Sequence, residues 1–427
     1  MTNRDGISTA DAILQKCVPL SSQVTGKDIT LKRMRKIMSA LGNPEKNLNV
    51  IHIAGTSGKT STSYYITRML QLSGEKTGLT ISPHVDSVRE RVQINLELMT
   101  DKEFCDELKT VIDILENKQL TPTYFELLVA LAYWYFSKEK VNYAVTETGM
   151  GGLHDGTNIA GNPNKLCIIT DIGMDHLQVL GHTVADIARQ KAGIIHNKNA
   201  VLLYRQGDKI MKVIKNQCDQ KDASIHIFEQ NTLAALNDVS YLPTFQQRNW
   251  LLAYEAFKLI QARDSLRGLH IIELKKSMAL QVPGRMDLVQ VAGKTIIMDG
   301  AHNEQKMQAF VDSFKQKFPD RKVPVLLSLK LGKVSSVVLK LLKQVTSTLI
   351  ITEFTGGQDL PGEAMDAQEL AEAAIKLNYK DVLIEISPEH AYKKLLEFAD
   401  NTAIITGSFY IISQLRQIKP ELRHATN

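Results

Sequence analysis

The stretch Ile51–Ser61, which reads IHIAGTSGKTS, constrains the fold of this chain more than any other feature. Its apolar start predicts a buried strand, and apolar residues at helical spacing after the loop predict a helix. A strand, a glycine loop with Lys-Thr and a helix form the layout of a phosphate-binding loop. Gly55 and Gly58 let the backbone curl so that its N–H groups point inward, and Lys59 adds a positive charge. The hydroxyl of Thr60 can reach Mg²⁺.

The spacing of this loop differs from the commonest phosphate-binding pattern, GxxxxGK[ST]. Only Thr56 and Ser57 separate the two glycines. An ordinary Gly/Ser turn before a helix is the alternative interpretation. The strand-to-helix junction and the position of Lys59 favour the phosphate-binding interpretation.

Composition limits the class of protein. A chain of 427 residues predicts two or three domains, because single cores stop growing near about 250–300 residues. The net charge of +5 comes from scattered Lys and Arg, which gives no indication of nucleic-acid binding. Four distant cysteines argue against a zinc site or disulfides and fit a reducing compartment. With no apolar signal core, and with Tyr124–Phe136 too short to span a bilayer, we expect a soluble, cytoplasmic protein without a membrane partner.

Strand-like and helical segments alternate along the chain, which predicts an α/β fold with a doubly wound, mainly parallel sheet and ligands at the strand C-terminal ends. The predicted strands of the first part are Val50–Ala54, Thr77–Ile81, Val141–Thr146, Leu166–Thr170 and Ala200–Tyr204. The predicted helices are Lys102–Glu116, Tyr124–Phe136, Val184–Ile195 and Gln246–Ile260.

A second α/β pattern starts after the Pro-Gly hinge at Pro283-Gly284. It contains a hairpin and further strands, namely Asp287–Val291, Lys294–Met298, Val323–Leu329, Thr348–Thr352, Val382–Ile386 and Thr402–Thr406. We therefore predict two domains, residues 1–285 with the phosphate-binding loop and residues 286–427 as a smaller, Rossmann-like α/β domain.

Chemically active side chains follow several of these strands. Glu147 stands where a strand-end carboxylate could hold Mg²⁺, although it could also merely end a strand. His176 is a candidate metal ligand or proton shuttle, or an ordinary loop residue, and Lys191 could simply serve the end of its helix. Asp299 and His302 emerge at a strand end, where a helix cap and turn are an equal alternative.

In this order the motifs resemble the dihydrofolate synthase/folylpolyglutamate synthase family, a branch of the Mur ligase superfamily, over nearly the whole chain. The matching segments are Leu41–Pro44, Ile51–Ser61, Ser82–His84 with Glu90–Val92, Glu147–Gly152 with Asp155–Asn158, Ile172–His176 with Leu180–Ile194, Gln246–Asn249, Pro283–Met286, Asp299–Asn303 and Thr406–Ser408. Any one motif is modest, but nine in register are specific.

The resemblance implies a reaction. A carboxylate of dihydropteroate, or of the glutamyl tail of a reduced folate, attacks the γ-phosphate of ATP to give an acyl phosphate. The amine of L-glutamate then displaces phosphate and forms an amide. The resemblance also implies Mg²⁺ at two sites, a monomer, and closure of the two domains on ATP around the Pro283-Gly284 hinge.

The resemblance implies a role for each matching residue. Phosphate binding is expected of Gly55, Gly58, Lys59, Thr60 and Ser61. The metal ligands are expected to be Ser82, Glu147 and His176, with Lys191 carbamylated by CO₂. Adenine, phosphate and ribose contacts are expected of Asn249, Arg285 and Asp299, in that order, with His302 near glutamate and phosphate. Phe125 could stack on a pterin or be a core aromatic, Asp155 could bind the pterin ring, and Asp28–Thr30 have weaker support.

Departures from the family pattern concentrate on the substrate side. They are Ser57 and Thr60 for Asn and Gly, Leu153-His154 for Arg-Leu, Ile29-Thr30 for Leu-Gly, and Asn95-Leu96 for Asn-Gly. They leave open whether one or both synthase activities are present. A ligase of the same superfamily acting on another acid, and a catalytically inactive nucleotide-binding protein, are the alternative functions.

Overall fold

The computed structural model describes residues 9–16, 31–229, 242–356 and 362–423, and these form two compact units. Unit 1 contains the described residues up to 229 together with 246–280, and unit 2 contains 242–245 and the described residues from 281 onward. The domain boundary predicted at residue 285 stays a prediction.

Unit 1 is built on an eight-stranded sheet with the order β4-β3-β2-β5-β1-β6-β7-β8. Its strands are β1 Asn49–Ala54, β2 Thr77–Thr80, β3 Gln93–Ile94, β4 Glu97–Leu98, β5 Tyr143–Glu147, β6 Leu166–Ile169, β7 Ala200–Tyr204 and β8 Ser224–Phe228. In this order the neighbouring strands from β2 to β8 pair parallel, whereas β3 pairs antiparallel with both β2 and β4. The doubly wound, mainly parallel sheet predicted for this part of the chain is confirmed.

Helices connect these strands. They are α1 Thr9–Gln15, α2 Leu31–Ala40, α3 Lys59–Leu72, α4 Asp101–Glu116, α5 Tyr124–Lys138, α6 Leu177–Leu180, α7 Val184–Ala192, α8 Asp208–Gln220, α9 Thr244–Asp264 and α10 Ile271–Met278. Capping boxes start α5 at Thr123 and α7 at Thr183, where the side chain accepts from the third helical N–H. Within the described residues, no helix is long and apolar enough to cross a membrane.

Two clusters of buried side chains stabilise the unit 1 sheet. One packs α4 and α5 against β1 and β5, with Leu108, Leu131 and Ala144 fully buried. The other packs α7 and α8 against β6 and β7, with Ile187 and Val201 fully buried. Burying each of these Leu, Ile and Val side chains contributes about 1.5–3 kcal/mol. The packed strands therefore hold their C-terminal ends, where the candidate site lies, in fixed positions.

Unit 2 has a six-stranded sheet with the order β13-β12-β11-β14-β10-β9. Its strands are β9 Asp287–Val291, β10 Lys294–Asp299, β11 Val323–Leu327, β12 Thr346–Ile351, β13 Asp381–Ile384 and β14 Thr402–Thr406. Its helices are α11 Glu304–Lys317, α12 Ser335–Leu342, α13 Ala367–Lys376, α14 Pro388–Phe398 and α15 Phe409–Ile418. Only β9 pairs antiparallel among the described strands of this sheet, which confirms the predicted β9–β10 hairpin and the Rossmann-like α/β fold.

Candidate functional site

The glycine loop, residues 55–61, joins β1 to α3 in unit 1. A Cβ atom on Gly55 would clash with the Thr170 hydroxyl at the end of β6. Gly58 has φ +90°, and a Cβ there would clash with the side-chain amide of Asn249 on α9. Both positions require glycine, because the loop lies directly against β6 and α9. Asn249, the predicted adenine contact, therefore lies beside the loop.

The backbone N–H groups of this loop do not all point inward. The N–H groups of Thr56 and Ser57 donate to the Asp171 carbonyl at 2.8 and 3.2 Å. This differs from the sequence expectation at these two positions, because Ser57 and Asp171 form a short antiparallel β-bridge. The first turn of α3, with Thr60 and Ser61 buried, follows directly. The N–H groups of such a first turn lack acceptors within the helix and suit an anion.

Two lysine side chains converge on one carbonyl of the glycine loop. The Lys59 Nζ lies 3.2 Å from the Gly55 carbonyl oxygen, and the Lys191 Nζ lies 2.7 Å from the same atom. Lys191 is buried on α7. The interpretation that Lys191 serves only the end of its own helix is wrong, because its side chain reaches the glycine loop. The arrangement concentrates positive charge where a phosphate-binding loop needs it.

A group of oxygen atoms surrounds the carboxylate of Glu147 at the end of β5. The Thr60 hydroxyl donates to Glu147 Oε1 at 2.9 Å, and the Ser82 N–H donates to Oε2 at 3.3 Å. The Ser82 hydroxyl oxygen is buried without a hydrogen-bond partner. The described residues contain no cluster of three or more His, Cys, Asp or Glu that could hold a metal ion. One carboxylate with two hydroxyls fits Mg²⁺, which uses few carboxylates and completes its shell with water and substrate phosphates.

His176 lies at the N-terminal end of α6, in the left-handed region with φ 50°. Its side chain is 49% exposed, and its Nε2 lies 3.9 Å from the carboxylate of Asp175. This position follows β6 at the same sheet edge as the glycine loop. Its role as a second metal ligand stays a prediction.

Asp155 and Phe125, the predicted substrate contacts, both lie next to Gly149. A Cβ on Gly149 would come within 2.6 Å of the Phe125 ring and 3.3 Å of Asp155 Oδ2. Asp155 Oδ2 accepts from the Met150 N–H at 2.8 Å, and Oδ1 accepts from the Thr157 N–H at 3.0 Å. Burial raises the pKa of Asp155, whereas these hydrogen bonds oppose the shift. Phe125 is partly buried and packs against the core of unit 1.

The departure at Leu153-His154 changes a segment that packs against α7. The Leu153 N–H donates to the Gln190 carbonyl at 2.7 Å, and a Cβ on Gly193 would clash with Leu153. The Leu153 side chain is 40% exposed. An apolar side chain therefore stands beside Asp155 where the family has arginine. The residues Asp28–Thr30, which had weaker support as substrate contacts, lie outside the described residues.

Glu90 organises the loop that follows β2 and contains Ser82. Its carboxylate accepts from the backbone N–H groups of Val85 at 2.9 Å and Ser87 at 2.7 Å. Burial raises the pKa of Glu90 to about 7, with the nearby Asp86 adding to the shift. The Glu90 carboxylate therefore fixes the backbone of this loop.

Asp299 ends β10 in unit 2 and fixes two neighbouring turns. Its carboxylate accepts from the N–H groups of Met286 at 2.8 Å and Ala301 at 2.9 Å. Burial raises its pKa to about 6, against the opposing charge of Arg285. The Met286 bond connects Asp299 to the turn that contains Arg285.

The ring of Phe409 brings Arg285 and His302 together. The Arg285 guanidinium lies 3.9 Å from the centre of this ring, within the range of a cation–π contact. The His302 ring approaches the same ring edge-on, with centres 6.5 Å apart. A Cβ on Gly300 would clash with Phe409, so the glycine allows this close packing.

Lys306 is a site residue that the sequence interpretation missed. His302 Nδ1 lies 2.7 Å from the Gly300 carbonyl, and the Lys306 Nζ lies 3.1 Å from His302 Nε2. Because a carbonyl only accepts, the proton resides on Nδ1, and Nε2 accepts from the lysine. The cap at Asn303, which accepts the Lys306 N–H at 3.0 Å, was predicted and is confirmed. The i,i+4 spacing of His302 and Lys306 on a capped helix was the available signal.

Asp171 and Arg248 form a second pair that the sequence interpretation missed. Two hydrogen bonds of 2.7 and 2.9 Å connect the guanidinium to the carboxylate. The guanidinium also lies 3.9 Å from the centre of the Tyr204 ring. Asp171 also binds the glycine loop through its carbonyl, so the pair connects that loop to α9. No spacing pattern relates residues this far apart in sequence.

Comparisons with known proteins identify the family of this chain. The family model of the Mur ligase middle domain matches residues 53–273, and that of the dihydrofolate synthetase C-terminal domain matches residues 285–418. The chain is 29% identical to the dihydrofolate synthase/folylpolyglutamate synthase of Bacillus subtilis, over 91% of this chain and 94% of the relative. It is 27% identical to the dihydrofolate synthetase of Saccharomyces cerevisiae, over 92% of this chain and 98% of the relative. The structure of Mycobacterium tuberculosis folylpolyglutamate synthase complexed with ADP superimposes with a TM-score of 0.83 and 26% identity, covering 98% of this chain and 100% of that one.

Proposed function

Because this chain belongs to the Mur ligase family, and within it to the dihydrofolate synthase/folylpolyglutamate synthase branch, we propose that it is an ATP-dependent ligase of L-glutamate. The acceptor is the carboxylate of dihydropteroate, of the glutamyl tail of a reduced folate, or of both. ATP activates this carboxylate as an acyl phosphate, and the glutamate amine then forms the amide.

The observation that supports this proposal most is the group formed by Thr60, Ser82 and Glu147 beside the glycine loop. The buried Ser82 hydroxyl oxygen lacks a partner, and the Glu147 carboxylate already accepts from Thr60 and from the Ser82 backbone. We assign Mg²⁺ to these oxygens. When bound, Mg²⁺ neutralises phosphate charge and makes the γ-phosphate a better electrophile.

Lys59 supplies the remaining positive charge for the two anions that must meet, the ATP phosphates and the substrate carboxylate. Lys59, Gly58 and the first turn of α3 bind the β- and γ-phosphates of ATP. The substrate carboxylate then approaches the γ-phosphate without strong repulsion, because the phosphate charge is already neutralised. Asn249, beside Gly58, contacts the adenine.

We also propose roles for three residues of unit 2. Arg285 binds a phosphate and Asp299 accepts from the ribose hydroxyls. His302, whose Nε2 accepts from Lys306, lies near glutamate and the leaving phosphate. On the substrate side, Phe125 stacks on the pterin ring and the Asp155 carboxylate accepts from its N–H groups.

Carbamylation of Lys191 by CO₂ belongs to the same proposal. Lys191 is buried, and its Nζ donates to the Gly55 carbonyl at 2.7 Å. A carbamate keeps one N–H on Nζ, so this hydrogen bond can persist after the modification. Incubation with ¹³C-bicarbonate should give a carbamate NMR signal that is missing in Lys191→Met, and its absence from the wild type would exclude the modification.

The proposed function is tested by ADP release with Mg²⁺-ATP and L-glutamate, with dihydropteroate or tetrahydrofolate added in separate reactions. Stimulation by dihydropteroate alone indicates a dihydrofolate synthase, stimulation by tetrahydrofolate alone a tail-extending enzyme, and stimulation by both a bifunctional enzyme. Lys59→Ala should abolish the stimulation, and Lys340→Ala, on helix α12 of unit 2, should retain it. Folded protein that binds ATP but responds to neither substrate contradicts the folate function and favours another acid.

A further inference from the structure

His52 is a fully buried histidine on β1 that the proposed mechanism does not use. It lies opposite Thr146 of β5 and Cys167 of β6 in the parallel register. Burial, with the charges of Lys165 and His196, lowers its pKa well below the usual value, so the ring is neutral. Such a polar side chain in the middle of a buried strand needs hydrogen bonds that offset the cost of its burial.

The Nε2 atom of His52 is the start of a hydrogen-bonded chain that ends at Asp155. It lies 2.9 Å from the Thr157 hydroxyl, and this hydroxyl in turn donates to Asp155 Oδ1. The Thr157 carbonyl accepts from the Tyr133 hydroxyl at 3.0 Å, which fixes the position of Thr157. All of these groups are buried, so water does not compete for the bonds.

The direction of the chain follows from the donors and acceptors. Two backbone N–H groups, of Met150 and Thr157, donate to the Asp155 oxygens, so the carboxylate is an acceptor. The Thr157 hydroxyl has one proton and directs it to Asp155. It must therefore accept from His52, which places the histidine proton on Nε2. The Nδ1 atom is then an acceptor, and it is buried without a hydrogen-bond partner.

A second contact connects His52 to the segment that contains Glu147, the proposed metal ligand. The Nε2 atom also lies 3.1 Å from the hydroxyl of Thr148, the residue that follows Glu147. The Thr148 N–H donates to the Ile53 carbonyl at 2.9 Å, so this segment is held by β1 at two points. One imidazole nitrogen thus contacts the segments that contain the proposed metal ligand and the proposed substrate contact.

We propose that His52 is a positioning residue, which fixes the Asp155 carboxylate through the Thr157 hydroxyl and sets the affinity for the pteroyl substrate. This inference rests on the proposed function, because Asp155 is there the substrate contact. Its oxygens use three acceptor sites within the protein, and a carboxylate has about four. The remaining site suits a ligand N–H donor. It stays in place because the hydrogen-bonded chain from His52 through Thr157 to Asp155, which we call the relay, keeps the carboxylate from rotating.

The kinetic test removes the hydroxyl of Thr157 and keeps its shape. Thr157→Val should raise the KM for the pteroyl substrate about 10- to 100-fold, the range for losing a hydrogen bond to a charged group, and should change kcat less than about threefold. ADP affinity, measured by calorimetry, should stay within about twofold and shows that the variant is folded. Thr157→Ser should restore the KM. The matched control Thr77→Val, a fully buried threonine on β2 whose hydroxyl donates to the Glu75 carbonyl outside the relay, should leave it unchanged.

A second measurement tests the relay independently of activity. In protein labelled with ¹⁵N-histidine, the His52 resonances, assigned by comparison with His52→Gln, should show the proton on Nε2 in the wild type. A proton on Nδ1, or an unchanged KM in Thr157→Val of an active enzyme, would overturn the relay. Absence of glutamate-dependent ADP release in the wild type would instead refute the proposed function, and the tautomer would still decide the relay.

Discussion

The buried ion pair between Arg416 and Asp287 holds the turn that contains Arg285 in unit 2. The Arg416 Nη2 lies 2.5 Å from Asp287 Oδ2, and both side chains have no exposed surface. The same oxygen accepts from the Gly284 N–H at 3.0 Å, one residue before Arg285. Replacing Arg416 by methionine keeps most of the side-chain volume and leaves the Asp287 carboxylate buried without its counter-charge.

The size of the effect follows from the burial of the pair. Removing one partner of a fully buried pair costs about 3–5 kcal/mol, because the remaining charge stays in an apolar environment. Replacing both partners by apolar residues is often neutral, since the desolvation penalty of both charges disappears. We therefore expect Arg416→Met to lose about 3–5 kcal/mol, and Arg416→Met with Asp287→Leu to lose much less than the sum of the single variants.

Urea unfolding followed by far-UV circular dichroism measures this loss. The two tryptophans of the chain, Trp134 and Trp250, both belong to unit 1, so their fluorescence is an internal reference for that unit. A loss below about 1 kcal/mol in Arg416→Met, or strict additivity in the double variant, would refute the reasoning.

Three further predictions concern single positions. Gly55→Ala should abolish ADP binding in calorimetry because its Cβ would clash with the Thr170 hydroxyl, whereas Gly207→Ala, with no atom within 4 Å of its Cβ, should bind normally. Lys306→Met should raise the KM for glutamate about tenfold, because His302 loses a hydrogen bond from a charged donor. The control Lys315→Met, at an exposed position on the same helix, should leave the KM unchanged. Equal KM values for the two variants would contradict this prediction. Asp299 has a folded pKa of about 6, above its usual 3.8, so its contribution to stability is complete below pH 3.8 and is lost as the pH rises through 6. Urea unfolding from pH 4 to pH 7 should show a decrease in stability that is larger in the wild type than in Asp299→Asn, by up to about 3 kcal/mol.

The main elements of both sheets could be predicted from the sequence, because they are continuous apolar runs between turn residues. The strands β7 and β14 match their predicted bounds. The strand β8 was missed because it lies at the sheet edge and alternates exposed and partly buried residues. The strands β3 and β4 have two residues each, too few for any periodicity. Their turn, Asn95-Leu96, has positive φ angles of 53° and 65°. These angles were not predicted, because Leu96 replaces the glycine that favours such a conformation.

The candidate site was predicted less completely than the fold. The strand-end positions of Glu147 and Asp299 follow from the alternation of strands and glycine loops, which the sequence contains. The contacts of Asp171, His52 and Lys306 depend on backbone carbonyls and on side chains brought together by folding. A single sequence predicts such contacts only where the residues are close enough in the chain to show a spacing pattern.

The transfer of a carboxylate oxygen tests the proposed ligase chemistry most directly. Dihydropteroate and a reduced folate, each labelled with ¹⁸O in the carboxylate, would be incubated with the protein, Mg²⁺-ATP and L-glutamate. Formation and breakdown of an acyl phosphate should move one ¹⁸O atom into each released phosphate, with one glutamate added to the product by mass spectrometry. Release of unlabelled phosphate, or ATP turnover without a glutamylated product, would contradict the ligase function proposed for this chain.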